Sequence, residues 1–423
     1  MASSCCLRAA CIVYLLGVPA AADNPADAPW PQWRGPGDSL VAEPGDYPTD
    51  LDADALVWKA RLPGDGASTP VMWHDRLIVT CGVDGENTVV ALDTEGEPVW
   101  QAAVGQVRDG RHRQGTGANP SPVVVGDVVC VYFKSGDLAA LDTKGAVVWR
   151  HNLQERFGKD KLLWDLGTSP VAVGGNVVVA VMHTAESYLV AFDAETGEQA
   201  WLEPRNFKTG KESSDAYTTP SLVAAPGGGQ RLIVWGADHL TAHDPATGET
   251  LWTIGGFNPK RRGMWRTVAS AAVGGGVAVV PAGRGEHLFA VDLDQPDGGT
   301  SDKHRWVRHD TGADVPTPII RGDTAYLLTD RGGLHAIDLQ SGKDRWTHQL
   351  PKARHNFYAS PVLAGDLLFA ARDDGTVFVG RVGPEGFELL SEQNLGETVL
   401  ATPVVVDNRV YIRGAKHLFC FAS

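Results

Sequence analysis

Apolar runs in this chain come in pairs joined by two-residue turns. Val123-Val-Val-Gly-Asp-Val-Val-Cys-Val-Tyr-Phe133 is a clear case, and Val404-Val-Val-Asp-Asn-Arg-Val-Tyr-Ile412 is another. Gly-Asp, Gly-Gly, Gly-Asn and Asp-Asn at such junctions are tight hairpin signals. A third apolar run then leads to an Asp, and a fourth carries a Trp. Several runs are apolar nearly throughout, as expected of strands in a sheet covered on both faces. The pattern predicts four-stranded antiparallel sheets stacked face to face. Each unit opens on a small polar residue, usually followed by Pro: Ser68-Thr-Pro70, Ser121-Pro122, Ser169-Pro170, Thr219-Pro220, Thr317-Pro318, Ser360-Pro361 and Thr402-Pro403, with Ser270-Ala271 an eighth.

The link between the third and fourth strands repeats most plainly. Ala191-Phe-Asp-Ala-Glu-Thr-Gly-Glu-Gln-Ala-Trp201 recurs as Ala242-His-Asp-Pro-Ala-Thr-Gly-Glu-Thr-Leu-Trp252 and as Ala336-Ile-Asp-Leu-Gln-Ser-Gly-Lys-Asp-Arg-Trp346. Shorter or looser copies end at Trp100, Trp149 and Trp306. The Asp carboxylate can accept backbone N–H groups of the turn, and Gly supplies the positive φ. Copies roughly 40–55 residues apart belong to propellers and repeat arrays. The last unit stops after three strands, at Ser423, while Leu56-Val-Trp58-Lys matches the fourth-strand stretch Val147-Val-Trp149-Arg. The expectation is therefore an all-β, eight-bladed propeller over residues 54–423, its last blade completed by the N-terminal strand. Closure also removes exposed sheet edges. The seventh unit lacks both the Asp and the Trp, and Pro226–Gly229 and Gln295–Asp302 read as loop insertions.

Two segments precede the repeats. Residues 1–22 combine Arg8, a short apolar run and Pro19-Ala-Ala-Ala22, the pattern of a secretory signal peptide. The run is too short for a membrane span, and no Cys follows it to carry a lipid. Residues 23–53 are rich in Pro, Gly and Asp and carry Trp30-Pro-Gln-Trp33-Arg-Gly-Pro36. This stretch is expected to lie extended on the body, with the two Trp as anchors. A periplasmic or secreted, monomeric protein follows.

Composition narrows the partners. A net charge of −14 disfavours nucleic acid and anionic membrane surfaces. Cys81, Cys130 and Cys420 remain after signal removal; they read as small buried hydrophobes, with a Cys81–Cys130 disulfide the alternative. No Cys-based zinc pattern is present. His239 and His243 have the spacing of two ligands on a helix but fall on a strand, and Asp373-Asp374-Gly375 reads as a turn.

The Ala-x-Asp-x-x-Thr-Gly-x-x-x-Trp hairpin, recurring around a ring, is similar to the pyrroloquinoline-quinone (PQQ) repeat. That family includes quinoprotein alcohol dehydrogenases and non-catalytic relatives of the BamB type. The resemblance covers nearly the whole mature chain. It implies that Trp58, Trp100, Trp149, Trp201, Trp252, Trp306 and Trp346 dock between neighbouring blades.

In a propeller the loops entering the innermost strands gather at one mouth of the axial channel. Here they are rich in aromatic, Arg and His residues, and Arg113, Asn119, Trp164, Asp165, Tyr217, Trp265, Arg266, His355 and Tyr358 are the candidates for binding. The enzyme reading requires PQQ and Ca²⁺, whose oxygen ligands could come from Asn119, Asp165, Asp215 and Glu397. None of these sits in a matched ligand motif, and no adjacent Cys pair survives removal of the signal peptide. No cofactor is therefore expected, and the balance is against an enzyme. The preferred reading is a scaffold for protein or peptide partners in the cell envelope. A quinoprotein dehydrogenase and a carbohydrate-binding propeller are the alternatives.

Overall fold

A computed structural model describes residues 28–112, 115–225 and 228–423. The signal-peptide stretch, Arg113 and Pro226 lie outside the described residues. Eight sheets form the ring, each with four antiparallel strands, in chain order in all but the last. Blade 1 shows the plan, with strands Val71–Trp73, Arg76–Val83, Glu86–Asp93 and Pro98–Gln106. The first strand of each blade is innermost, and first strands of neighbouring blades lie side by side around the axis.

The expected closure is present. Leu56–Arg61 is the fourth strand of blade 8, antiparallel to His417–Ala422 with Leu56 opposite Phe421 and Arg61 opposite His417. The core lies between blades. One cluster joins Val123, Cys130 and Leu138 of blade 2 to Val177, Val190 and Phe192 of blade 3, all fully buried. Fully burying each such side chain stabilises by about 1.5–3 kcal/mol, so blade-on-blade stacking dominates.

The repeated hairpin has a double reason for its glycine. Asp193 Oδ1 accepts the N–H groups of Glu195 (3.1 Å) and Thr196 (2.8 Å), which tightens the turn. Gly197 follows at φ +74°, and a Cβ there would meet the indole of Trp149 from the preceding blade at 2.7 Å. That indole donates Nε1–H to Ala194 O at 2.7 Å. Trp58, Trp100, Trp201, Trp306 and Trp346 reach turn carbonyls of the next blade in the same way, those of Thr94, Thr143, Pro245, Leu339 and Gly383. Trp252 departs. The next turn is displaced by the 295–302 insertion, whose Thr300–Ser301 adds a parallel fifth strand to blade 4. Trp252 is instead buried in a core cluster with Trp235 and Phe257.

The small polar residues that open the blades form a closed circle. The N–H of Thr69 donates to Ser121 Oγ (2.9 Å), and that of Ser121 to Ser169 Oγ (2.9 Å). The chain continues through Thr219, Ser270, Thr317, Ser360 and Thr402, and Thr402 N–H returns to Thr69 Oγ1 at 3.2 Å. Eight inter-blade bonds thus encircle the channel. Ser169→Ala leaves the buried N–H of Ser121 without its acceptor. We expect a loss of about 1–3 kcal/mol in urea unfolding, against near-neutral behaviour for Ser169→Thr.

Residues 28–53 do not simply lie over the body. Trp30 O accepts Met72 N–H at 2.8 Å in blade 1, and Pro31 O accepts Val124 N–H at 2.8 Å in blade 2. Arg34 reaches the carbonyls of Thr219 and Pro220 in blade 4. Val41–Ala42 then pairs in parallel with the innermost strand of blade 7. The segment therefore crosses the inside of the ring. It leaves by way of Asp46, bonded to Asn408, and runs along the outer strand of blade 7, where Ser391 Oγ donates to Thr49 O at 2.7 Å. From there it becomes the closing strand.

Candidate functional site

The segment that crosses the ring divides the channel. On one side is a small space of about 230 Å³ between Pro31, Asp38 and the first strands of blades 2 to 4. On the other is a cup of about 910 Å³ with Trp33 and the hydroxyl circle at its base. Its walls come from the loops between blades and from turns between second and third strands, which share one face because alternate strands reverse direction.

Asn119, Trp164, Asp165, Tyr217, Arg266 and Tyr358 all line this cup. Asn119 staples two loops, with Oδ1 accepting from Thr116 N–H (2.9 Å) and Nδ2 donating to Leu166 O (3.1 Å). Asp165 is buried, ion-paired with Lys134, and accepts the N–H groups of Arg111 (2.8 Å) and His112 (2.7 Å). Trp164 donates Nε1–H to Glu212 Oε1 at 2.6 Å, and its backbone N–H to Tyr217 Oη at 3.0 Å. Arg266 bonds Asp314 at 2.9 Å, lies 3.6 Å from Glu212, and sets its guanidinium 5.7 Å from the Trp164 ring. Trp265 is turned away from the cup and packs in the wall edge-on to His287, under Arg262. His355 sits half-exposed on Asp373 at 3.0 Å, outside the cup.

Other cup residues escaped sequence reasoning. Asp330 and Arg331 belong to a turn between second and third strands, and only strand direction could have placed that turn at the mouth. Glu212 lies behind the wall and is noticed only through its partners. Burial pushes the carboxyls of Asp215 and Asp330 up, each to about 6. Asp330 is raised although it accepts the N–H groups of Asp314 (2.7 Å) and Val315 (3.1 Å). A carboxyl that holds its proton more tightly when folded favours folding most below its unfolded pKa. That contribution fades as pH rises through about 4 to 6. Buried histidines such as His243, whose protonation burial opposes, act in the other direction, so the test is differential. Asp215→Asn should make the change in thermal midpoint from pH 7 to pH 5 less favourable than in the native chain. A shift of this size corresponds to at most about 3 kcal/mol.

The oxygens that might have held a cation do not converge. Asp165 is taken by Lys134, and Asp215 accepts Leu163 N–H at 3.0 Å. Glu397 pairs with His417 at 2.8 Å. Among the described residues no three His, Cys, Asp or Glu side chains form a metal-holding group. Cys81, Cys130 and Cys420 are buried and unpaired, so the alternative disulfide is not formed. These residues do not fit a Ca²⁺–quinone pair.

A family model described as outer membrane protein assembly factor BamB matches residues 39–216 and again 185–383. The chain belongs to the BamB family. A BamB of Burkholderia pseudomallei is 27% identical over 363 residues, covering 75% of this chain and 85% of its own. The solved BamB of Moraxella catarrhalis superposes with a TM-score of 0.60 at 18% identity, covering 87% of this chain and 97% of that one. A quinohaemoprotein alcohol dehydrogenase of Comamonas testosteroni superposes at 0.66 with 16% identity, covering 93% and 80%. At these identities the two structures speak for the propeller alone. As a BamB-family scaffold, this chain uses Asp165, Arg266 and Asp314 of its mouth to tie loop to loop. No helix among the described residues is long and apolar enough to cross a membrane.

Proposed function

We propose that this chain is a non-catalytic scaffold of the periplasm that docks protein partners during outer-membrane protein assembly. The match to the BamB family model over residues 39–383 carries the reading. The chemistry of the mouth supports it. Asp165 is already paired with Lys134, and Arg266 with Asp314, which suits a rigid platform better than acid–base work. Leu163, Trp164 and Met264 stand 45, 37 and 51% exposed on the mouth loops, apolar groups suited to partner contact.

The test is made in the native host. Deleting the gene should lower the amounts of β-barrel proteins in the outer membrane. Cross-linking of the tagged chain should recover assembly components, and recovery should fall about tenfold with Leu163→Ser and Met264→Ser combined. Unchanged outer-membrane protein levels, with no assembly component recovered, would overturn the proposal.

A further inference from the structure

The cup itself is left unused by docking at its rim. Its base has an aromatic platform. Trp33 lines the cavity, is partly exposed, and is held by Nε1–H donation to Thr402 Oγ1 at 3.1 Å. The Arg34 guanidinium lies 5.0 Å from its ring, and Arg34 is buried and bonded to carbonyls of blade 4. The cation therefore backs the side of the indole turned away from the cup.

Around this platform run the blade-opening hydroxyls, seven of the eight lining the cavity. Each spends one lone pair on a neighbour's N–H, which leaves its own O–H to donate. Tyr217 and Tyr358 add two phenolic hydroxyls above them. In the wall Asp165 pairs with Lys134, Arg266 with Asp314, and Asp330 accepts two backbone N–H groups, which leaves the hydroxyls as the free donors of the lower cup. Arg284 and Arg331 stand exposed at the lip.

A flat apolar face, a dense ring of hydroxyls and a blind end are complementary to a sugar. The C–H face of a pyranose is weakly positive and suits the negative face of an indole. Its hydroxyls both donate and accept, as the Ser/Thr circle does. The volume lies within the range of small-molecule sites. We propose that the cup binds the end of a saccharide chain, with one pyranose stacked on Trp33 and its hydroxyls on the Ser/Thr circle.

The full mature chain would be titrated calorimetrically with cellotetraose, laminaritetraose, tri-N-acetylchitotriose and tetragalacturonate. At least one should bind saturably at a single site and change tryptophan emission. Binding of tetragalacturonate alone, weakened by Arg331→Ala, would identify an acidic sugar as the ligand. Trp33→Ala and Tyr358→Ala should each weaken binding about tenfold or more. Trp33 belongs to the segment that crosses the ring, so Tyr358→Ala, which should leave the unfolding midpoint unchanged, decides if Trp33→Ala does not fold. Absence of saturable heat with all four sugars at millimolar concentration overturns the proposal. Binding that survives Tyr358→Ala overturns it as well.

Discussion

Trp30→Ala should lower the stability of this protein by about 3–5 kcal/mol in urea unfolding, the usual cost of deleting a fully enclosed indole. Trp30 is 0% exposed, although it lies in a stretch of Pro, Gly and Asp with no repeat of its own. Its ring is wedged against Gly35, where a Cβ would come within 2.8 Å, and its carbonyl is tied to Met72 of blade 1. Its Nε1 has no hydrogen-bond partner among the described residues. Trp30→Phe removes that orphaned N–H while keeping much of the volume, and should cost less than half as much. Equal losses for the two substitutions would mean that the indole is not packed as described.

Two truncations separate the segment that crosses the ring from the strand that closes it. A mature chain starting at Thr49 keeps Leu56–Arg61 and should fold with lowered stability, its channel open at both faces. A chain starting at Pro63 loses the fourth strand of blade 8 as well, and leaves the edge of His417–Ala422 unpaired. An unpaired edge invites association with other chains. This form should show no cooperative thermal transition and should aggregate. The two shortened chains would be compared by calorimetry and by light scattering. A cooperative transition in the shorter one would show that the ring does not need its seam.

The ring was legible because each level of the sequence agreed with the next. Turn chemistry at Asp193 and Gly197, Trp spacing, and the missing last strand all pointed to eight blades and one closing strand. The path of residues 28–42 was not legible. Trp30 and Pro31 offer their carbonyls to amides of blades 1 and 2, and Arg34 is held by carbonyls of blade 4; nothing periodic announces contacts that far apart along the chain. The cup was legible in part. Reading only the loops between blades found Asn119, Trp164, Asp165, Tyr217, Arg266 and Tyr358, but not the turn at Asp330 on the same face. Trp265 and Arg266 are adjacent in sequence and look equally available. Only one can face the cup, because consecutive side chains in extended backbone point to opposite sides. The blade openings were seen as small and polar, but their role in bonding one blade to the next depends on the ring being shut.

The circle of amides and hydroxyls has no beginning. Every member hands one proton onward and receives one from behind, so no blade is marked as first. A gene re-cut between any two modules, with the old ends joined, would restore the same circuit. What sets one blade apart from another is the tether crossing the hub, so the wheel's asymmetry resides in the axle and not in the rim.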